Sequence, residues 1–433
     1  MATRAQTPRA PRKKREPSPT RNSPRAAAEA TSKGNGSQPK PNSGKRNAKT
    51  ASAIEFDRAN HRPALITPEQ LEKLIATLIN DGFEVIGPTV RDEAITYDPV
   101  KCVADLPAGW IDEQEPARYR LKKSDSPALF GYSLGAQSWK TFLHPAEARL
   151  FAAEKQNGAF HILNNDPIPA VSRALLGVRA CELAAIRAQD RVLLGDKYRD
   201  PIYGSRRESA LIIAVQCSHA AATCFCASIG SGPKVSDGFD LLLTELVDAN
   251  GHRFVVEPGT DRGIGLLARV DAKPALEADL VAVESALASA AQQQRKLDTA
   301  GLKKFLYENF ENPQWDKISA RCLSCANCTM SCPTCFCTTV DDATDVTGTH
   351  AERWSRWDSC FTQSFSYIHG GSIRTSAKAR YRQWMTHKLA AWTDQFGSLG
   401  CVGCGRCITW CPAAIDITEE VRAMREGGVR ADA

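Results

Sequence analysis

The chain has 433 residues with a net charge of +6, 42% hydrophobic content and sixteen cysteines. That length gives room for two or three domains. No run of about 18 apolar residues occurs and no apolar segment follows Met1, so neither a membrane span nor a secretory signal is expected. Many thiols without an export route point to a reducing cytoplasm, where cysteines stay free to bind metal.

Charge is unevenly placed. Thirteen of the Lys and Arg fall in residues 1–50 against only Glu16 and Glu29, so the rest of the chain is net acidic. Residues 1–60 are rich in Pro, Ser, Asn and basic residues and poor in aromatics. Such a composition cannot bury a core and predicts a disordered basic tail.

Order is expected from about residue 61. Thr67, Pro68 and Gln70 open a helix in which Leu71, Leu74, Ile75, Leu78 and Ile79 recur at helical spacing up to Gly82. Phe83–Ile86 and Ala94–Tyr97 read as strands, with further strand-like pieces at Tyr119–Leu121 and Phe130–Tyr132. Then Phe160–Leu163, Leu175–Val178 and Leu211–Val215 alternate with helical sequence, which predicts an α/β domain over 61–270 with a parallel sheet. Asp240–Val247 and Arg253–Val256 read as a hairpin around Asn250-Gly251. Residues 273–297 and 300–310 predict helices, a helical linker over 271–312. A mainly α-helical, ferredoxin-like, two-cluster domain is expected over 313–425, with Trp354, Trp357, Trp384, Trp392 and Trp410 in its core.

That last domain carries the strongest signal. Cys322-x2-Cys325-x2-Cys328-x3-Cys332-Pro333 is followed by a second copy, Cys401-x2-Cys404-x2-Cys407-x3-Cys411-Pro412. Each is the ligand pattern of a [4Fe-4S] cluster, in which the cysteine before proline serves the other cluster. Cluster A would take Cys322, Cys325, Cys328 and Cys411, and cluster B Cys332, Cys401, Cys404 and Cys407. Zinc fits poorly, since zinc sites use cysteine pairs, and disulfides need an oxidising compartment.

A looser set is Cys181, Cys217, Cys224 and Cys226. Cys181 and Cys217 fall just past the carboxyl ends of two predicted strands, where open α/β sheets bind ligands. The four can hold a third [4Fe-4S] cluster, a zinc ion, or no metal. Cys335, Cys337 and Cys360 are expected to support the clusters by tuning potential, and Cys102 to be structural. Arg374, Lys378, Arg380, Arg382, His387 and Lys388 form a basic stretch suited to a solvated helix face, an acidic partner, or stabilising a reduced cluster. His369 and His387 are candidate iron ligands of lower weight.

No P-loop, His-Glu-x-x-His or nucleophile elbow occurs, and Gly263-Ile264-Gly265-Leu266-Leu267-Ala268 only approaches a dinucleotide fingerprint. The chain therefore reads as a non-catalytic electron-transfer subunit of an oxidoreductase. A non-redox binding module with structural clusters and a cluster-based sensor are the alternatives.

The joint pattern resembles a known family. The carrying stretches are Asp105-Leu106-Pro107 with Gly109-Trp110, Ser138-Trp139-Lys140, Gly177-Val178-Arg179-Ala180-Cys181, Cys217 with Thr223-Cys224-Phe225-Cys226, Gly238-Phe239-Asp240, Cys328 through Cys337, and Cys401 through Cys407 with Cys411-Pro412. Over roughly residues 65–420 they are similar to the beta subunit of cytoplasmic sulfhydrogenases, NADP-linked nickel–iron hydrogenases, and to the related electron-transfer subunit of anaerobic sulfite reductase. The hydrogenase resemblance implies a flavin- and [2Fe-2S]-bearing diaphorase subunit and small and large nickel–iron hydrogenase subunits as partners in a hetero-oligomer. The sulfite reductase resemblance implies a sirohaem subunit instead.

Overall fold

The computed structural model describes residues 62–163, 171–195 and 197–428. The expected basic tail, 1–60, lies outside them. In chain order the strands are β1 (Ala64–Ile66), β2 (Glu84–Arg91), β3 (Ala94–Pro99), β4 (Trp110–Glu115), β5 (Arg118–Lys123), β6 (Glu147–Gln156), β7 (Ala159–Leu163), β8 (Arg173–Val178), β9 (Leu211–Val215), β10 (Leu241–Asp248), β11 (Gly251–Pro258), β12 (Lys273–Pro274), β13 (Thr338–Thr344), β14 (His350–Trp357), β15 (Tyr367–Ile368) and β16 (Gly371–Ser372).

The first helix, Pro68–Asn80, forms for the reasons its sequence gives. The Gln70 N–H donates to Thr67 Oγ1 at 3.4 Å, and the Thr67 N–H donates back to Gln70 Oε1 at 2.9 Å. This reciprocal cap satisfies two N–H groups that no helical carbonyl can reach. Leu71, Leu74, Ile75 and Leu78 are buried on one face, whereas Ile79 stays 40% exposed. Thr67→Ala is expected to lower stability by about 1 kcal/mol, read as an earlier denaturant midpoint.

The main sheet has the order β12-β1-β11-β10-β9-β8-β2-β3. Its centre, β2, β8, β9 and β10, is parallel, and its flanks are antiparallel. Leu211–Val215 is buried throughout, as a strand covered on both faces must be. The expected hairpin is present as β10–β11, eight residue pairs long from Leu241↔Pro258 to Asp248↔Gly251.

Several expectations are corrected. Phe160–Leu163 does form a strand, β7, but in a separate sheet of order β13-β14-β6-β7. Its partner β6, Glu-Ala-Arg-Leu-Phe-Ala-Ala-Glu-Lys-Gln, is rich in charge and alanine and carries little strand signal. Phe130–Tyr132 is not a strand. The Glu245 carboxylate accepts the Leu129 and Phe130 N–H groups at 2.6 and 2.8 Å, and Arg179 Nη2 donates to the Phe130 and Tyr132 carbonyls at 2.8 and 2.9 Å. Side chains thus supply the partners that a neighbouring strand would give.

The helix expected over 273–297 is shorter, Glu277–Ala290. Lys273 is drawn into the sheet opposite Leu65. Past Ala290 the backbone unwinds, and Gln293 and Arg295 make the site contacts described below. The second linker helix is Leu302–Glu308.

The segment between the two cysteine runs is not all helical. It begins with the β13–β14 hairpin, in which Arg353 reaches the Asp342 carboxylate opposite it through Nε and Nη2 at 2.6 and 2.7 Å. This cross-strand pair, with Trp354 and Trp357 on the same strand, suits a half-buried sheet. Helix follows at Ala377–Thr386, with a π-helical turn at His387–Ala391 and a last turn at Trp392–Phe396. No helix of the described residues is long and apolar enough to cross a membrane.

Candidate metal centre

The two cysteine runs adopt one local conformation twice. In the first, Ser324 and Ala326 have φ of 52° and 66°; at the same offsets in the second, Gly403 and Gly405 have φ of 59° and 78°. In each run the left-handed residue two places on turns its N–H back to the first thiol, Ser324 to Cys322 Sγ at 3.4 Å and Gly403 to Cys401 Sγ at 3.5 Å. A short helix then carries the third thiol, Asn327–Met330 for Cys328 and Arg406–Thr409 for Cys407. Left-handed backbone costs an L-residue roughly 1–2 kcal/mol, so its adoption by Ser324 and Ala326, at the positions where the second run has glycine, marks a shape the chain maintains for its thiols.

Only the second run uses glycine there, and its surroundings say why. A Cβ on Gly403 would lie 2.6 Å from the Cys226 backbone, and one on Gly405 2.5 Å from the Thr223 carbonyl oxygen. The second run therefore lies directly on the Thr223–Cys226 loop. The Phe225 N–H donates to the Gly403 carbonyl at 2.9 Å, and Ser231 Oγ donates to the Val402 carbonyl at 2.8 Å.

The structure brings Cys322, Cys325 and Cys328 together with Cys411. All four line one pocket, together with Cys407 of the second run, Phe361, Tyr381 and Trp384. Burial pushes the Cys328 thiol well above its usual range, and Cys322, Cys411 and Cys325 add to the shift. The Trp384 indole N–H is buried with no acceptor among the described residues. Four thiols, an apolar wall and an unused donor fit a sulfide-bearing cluster, which supplies acceptors and takes thiolates.

Cys401, Cys404 and Cys407 gather with Cys332. Burial raises Cys407, reinforced by Cys401, Cys404 and Cys332. The hydrogen bond with Cys335 pulls the Cys332 thiol well below its usual range; burial opposes this and the Lys388 ammonium adds to it. None of the sixteen cysteines is in a disulfide. Among the described residues no group of three or more His, Cys, Asp or Glu closes on a single ion.

The looser set also converges. Burial is the first cause raising Cys181, Cys217, Cys224 and Cys226, with Cys226 pushed up to about 12. Cys404, Cys226 and Cys217 all act on Cys181, and Cys226, Cys217 and Cys404 on Cys224. The group thus borders the second run through Cys404. Cys181 lies in the first turn of the Ala180–Leu193 helix after β8, and Cys217 two residues past β9. Gln293 Nε2 donates to Cys226 Sγ at 3.1 Å while its Oε1 accepts the Ala227 N–H at 3.0 Å.

Cys335 hydrogen-bonds Cys332, and Cys337 and Cys360 hydrogen-bond each other. The hydrogen bond with Cys360 lowers Cys337 to about 7. Lys140, also buried, donates to the Cys335 carbonyl at 3.1 Å and sits 3.8 Å from the Trp357 ring centre. Cys102 stands apart, in the short turn before Leu106.

The basic stretch is not one solvated face. Lys378 pairs with Asp316 and Arg382 with Glu311. Arg380 is buried on the carbonyls of Arg374 and Thr375, and Lys388 is buried as well. His387 hydrogen-bonds Gln395 at 3.2 Å. Gly263 serves packing, since a Cβ there would lie 2.0 Å from the Asp240 carbonyl oxygen.

Arg406 and Arg295 are among the site residues that carried no role in the sequence reading. Arg406, between Cys404 and Cys407, is 1% exposed and forms an ion pair with Glu182, also 1% exposed, on the helix that carries Cys181. It also donates to the Gly135 and Gln137 carbonyls at 2.9 and 2.8 Å. Arg295 pairs with the buried Asp416 at 2.5 Å. Buried charges are invisible in a linear pattern because their partners lie far away in sequence.

Comparison with known proteins agrees with this geometry. Residues 321–415 match the family model of the 4Fe-4S dicluster domain, which implies two [4Fe-4S] clusters. The chain is 34% identical to sulfhydrogenase 2 subunit beta of Pyrococcus furiosus over 263 residues, spanning 58% of this chain and 74% of that protein. No solved structure matches. With the dicluster domain in place and three quarters of that relative covered, this protein belongs to the sulfhydrogenase beta-subunit family.

Proposed function

We propose that this protein is the electron-relaying subunit of a cytoplasmic nickel–iron hydrogenase complex. It would pass electrons between a flavin- and [2Fe-2S]-bearing NAD(P) subunit and the small and large hydrogenase subunits, with no catalytic group of its own. The observation that carries this reading is the adjacency of thiol groups. Cys328 and Cys407 link the two dicluster groups, and Cys404 links the second to the group around Cys181. Low-potential clusters held in neighbouring dry sites suit a relay.

On this reading Cys322, Cys325, Cys328 and Cys411 hold cluster A, and Cys332, Cys401, Cys404 and Cys407 hold cluster B. Cys181, Cys217, Cys224 and Cys226 hold a third. The order of the centres is then third, B, A, with exposed Cys325 at the outer end. Domain limits of 61–270, 271–312 and 313–425 go with this assignment.

Anaerobic purification of the tagged protein from its own cells tests the reading. Co-purification of a flavin subunit and a nickel–iron large subunit supports it; a sirohaem subunit instead moves the relay into sulfite reduction. Iron analysis of the same material tests the third site. About twelve irons per chain are expected, at four per cubane, and about eight would remove the third cluster.

A further inference from the structure

Lys388 is 4% exposed and lies on the π-helical turn His387–Ala391. Its ammonium has three N–H donors and meets three acceptors: Cys332 Sγ at 3.1 Å, Thr334 Oγ1 at 2.8 Å and the Gly400 carbonyl at 3.2 Å. Among the described residues no carboxylate forms an ion pair with it. A buried cation without a counter-charge is strongly disfavoured, so the folded protein needs an anion here. Of the other buried cations here, Arg406 already has Glu182, and Lys140 is turned to the Cys335 carbonyl at 3.1 Å and the Trp357 ring.

The two dicluster groups differ in this respect. Lys388 acts on both Cys332 and Cys401. Around Cys322, Cys325, Cys328 and Cys411 the pocket wall is Phe361, Tyr381, Trp384 and other uncharged side chains. Arg380 Nη2 reaches Ser324 Oγ at 3.3 Å, and its Nη1 donates to the carbonyls of Arg374 and Thr375.

Resting on the reading that these groups hold clusters, we infer that Lys388 sets the order of reduction: its ammonium lifts the potential of cluster B above that of cluster A. Reduction adds one electron to a centre that is already anionic with its four thiolates. A fixed cation in a dry site stabilises that added charge far more than one in water does, and a hydrogen bond to a ligand sulfur acts in the same direction. Electrons entering the relay would then collect on cluster B before passing to cluster A. Lys388 touches a ligand and acts through it, as a tuning residue.

The test is an EPR-monitored titration of the full-length protein, loaded anaerobically and reduced stepwise with dithionite as the one-electron donor. Cys325→Ser identifies the cluster A signal as the one it perturbs. In the unaltered protein, cluster B is expected to reduce first. In Lys388→Gln the oxidised-to-reduced ratio of cluster B at a fixed potential should rise at least tenfold, a downward shift of about 59 mV or more. The cluster A signal should stay in place, and Lys388→Arg should keep cluster B near its original value. An unshifted cluster B in Lys388→Gln, an equal shift of both signals, or cluster A reducing first in the unaltered protein would each overturn the inference. The last decides even where Lys388→Gln does not load. Two intact cluster signals without the shift leave the relay reading standing, whereas a protein that takes up no dicluster signal defeats that reading itself.

Discussion

Glu182→Gln is expected to destabilise the protein by about 3–5 kcal/mol, the cost of leaving a buried charge without its partner. Glu182 and Arg406 are each 1% exposed, and the pair joins the helix after β8 to the second cysteine run. Glu182 Oε2 also accepts the Trp139 N–H at 3.1 Å, and Trp139 is fully buried. Burial works against the Arg406 charge, and Glu182 and then the Cys404 thiol more than restore it. The glutamine keeps the size and loses only the charge. Chemical denaturation of the loaded protein, followed by tryptophan fluorescence, measures the effect. Glu115→Gln, which breaks the exposed pair with Arg118, should cost under about 1 kcal/mol. Equal midpoints for the two variants would show that the Glu182–Arg406 pair holds nothing together. Removing both charges, with Arg406→Met added, should recover part of the loss, since a pair replaced by apolar groups is far less costly than a pair broken.

Cys411→Ser is expected to remove or convert cluster A while cluster B keeps its signal. Cys411 belongs to the second run in sequence, yet it lines the pocket with Cys322, Cys325 and Cys328. Its Sγ accepts the Ile415 N–H at 3.4 Å, which fixes its direction. Cys332 is the reciprocal case, belonging to the first run but acting on Cys401, Cys404 and Cys407. Cys332→Ser should therefore damage cluster B and spare cluster A. Mössbauer and EPR spectra of the two variants check the crossing. Loss confined to cluster B in Cys411→Ser would show that each run serves its own cluster.

Much of the local structure was legible in the sequence alone. Thr67, Pro68 and Gln70 determine the first helix start because a cap involves residues only three apart. Leu211–Val215 and the Asn250-Gly251 hairpin follow from composition and turn chemistry. The repeated cysteine spacing determined the dicluster chemistry, since three thiols on one tight loop and a fourth before proline leave few other ligands to hold.

What lies far apart in sequence was decided only in three dimensions. β6 is too polar to announce a strand, and it is held by β14, about two hundred residues away. Phe130–Tyr132 has strand-like residues but takes its partners from Glu245 and Arg179. Lys388 reads as one member of a basic helix face, and becomes a buried ammonium on Cys332 only because the π-helical turn packs against the first run. Sequence determined which thiols exist and how each loop bends, because those depend on neighbours a few residues away. Tertiary packing decided which thiols meet and which charges are stripped of water, because burial and electrostatics depend on every segment that closes over a site.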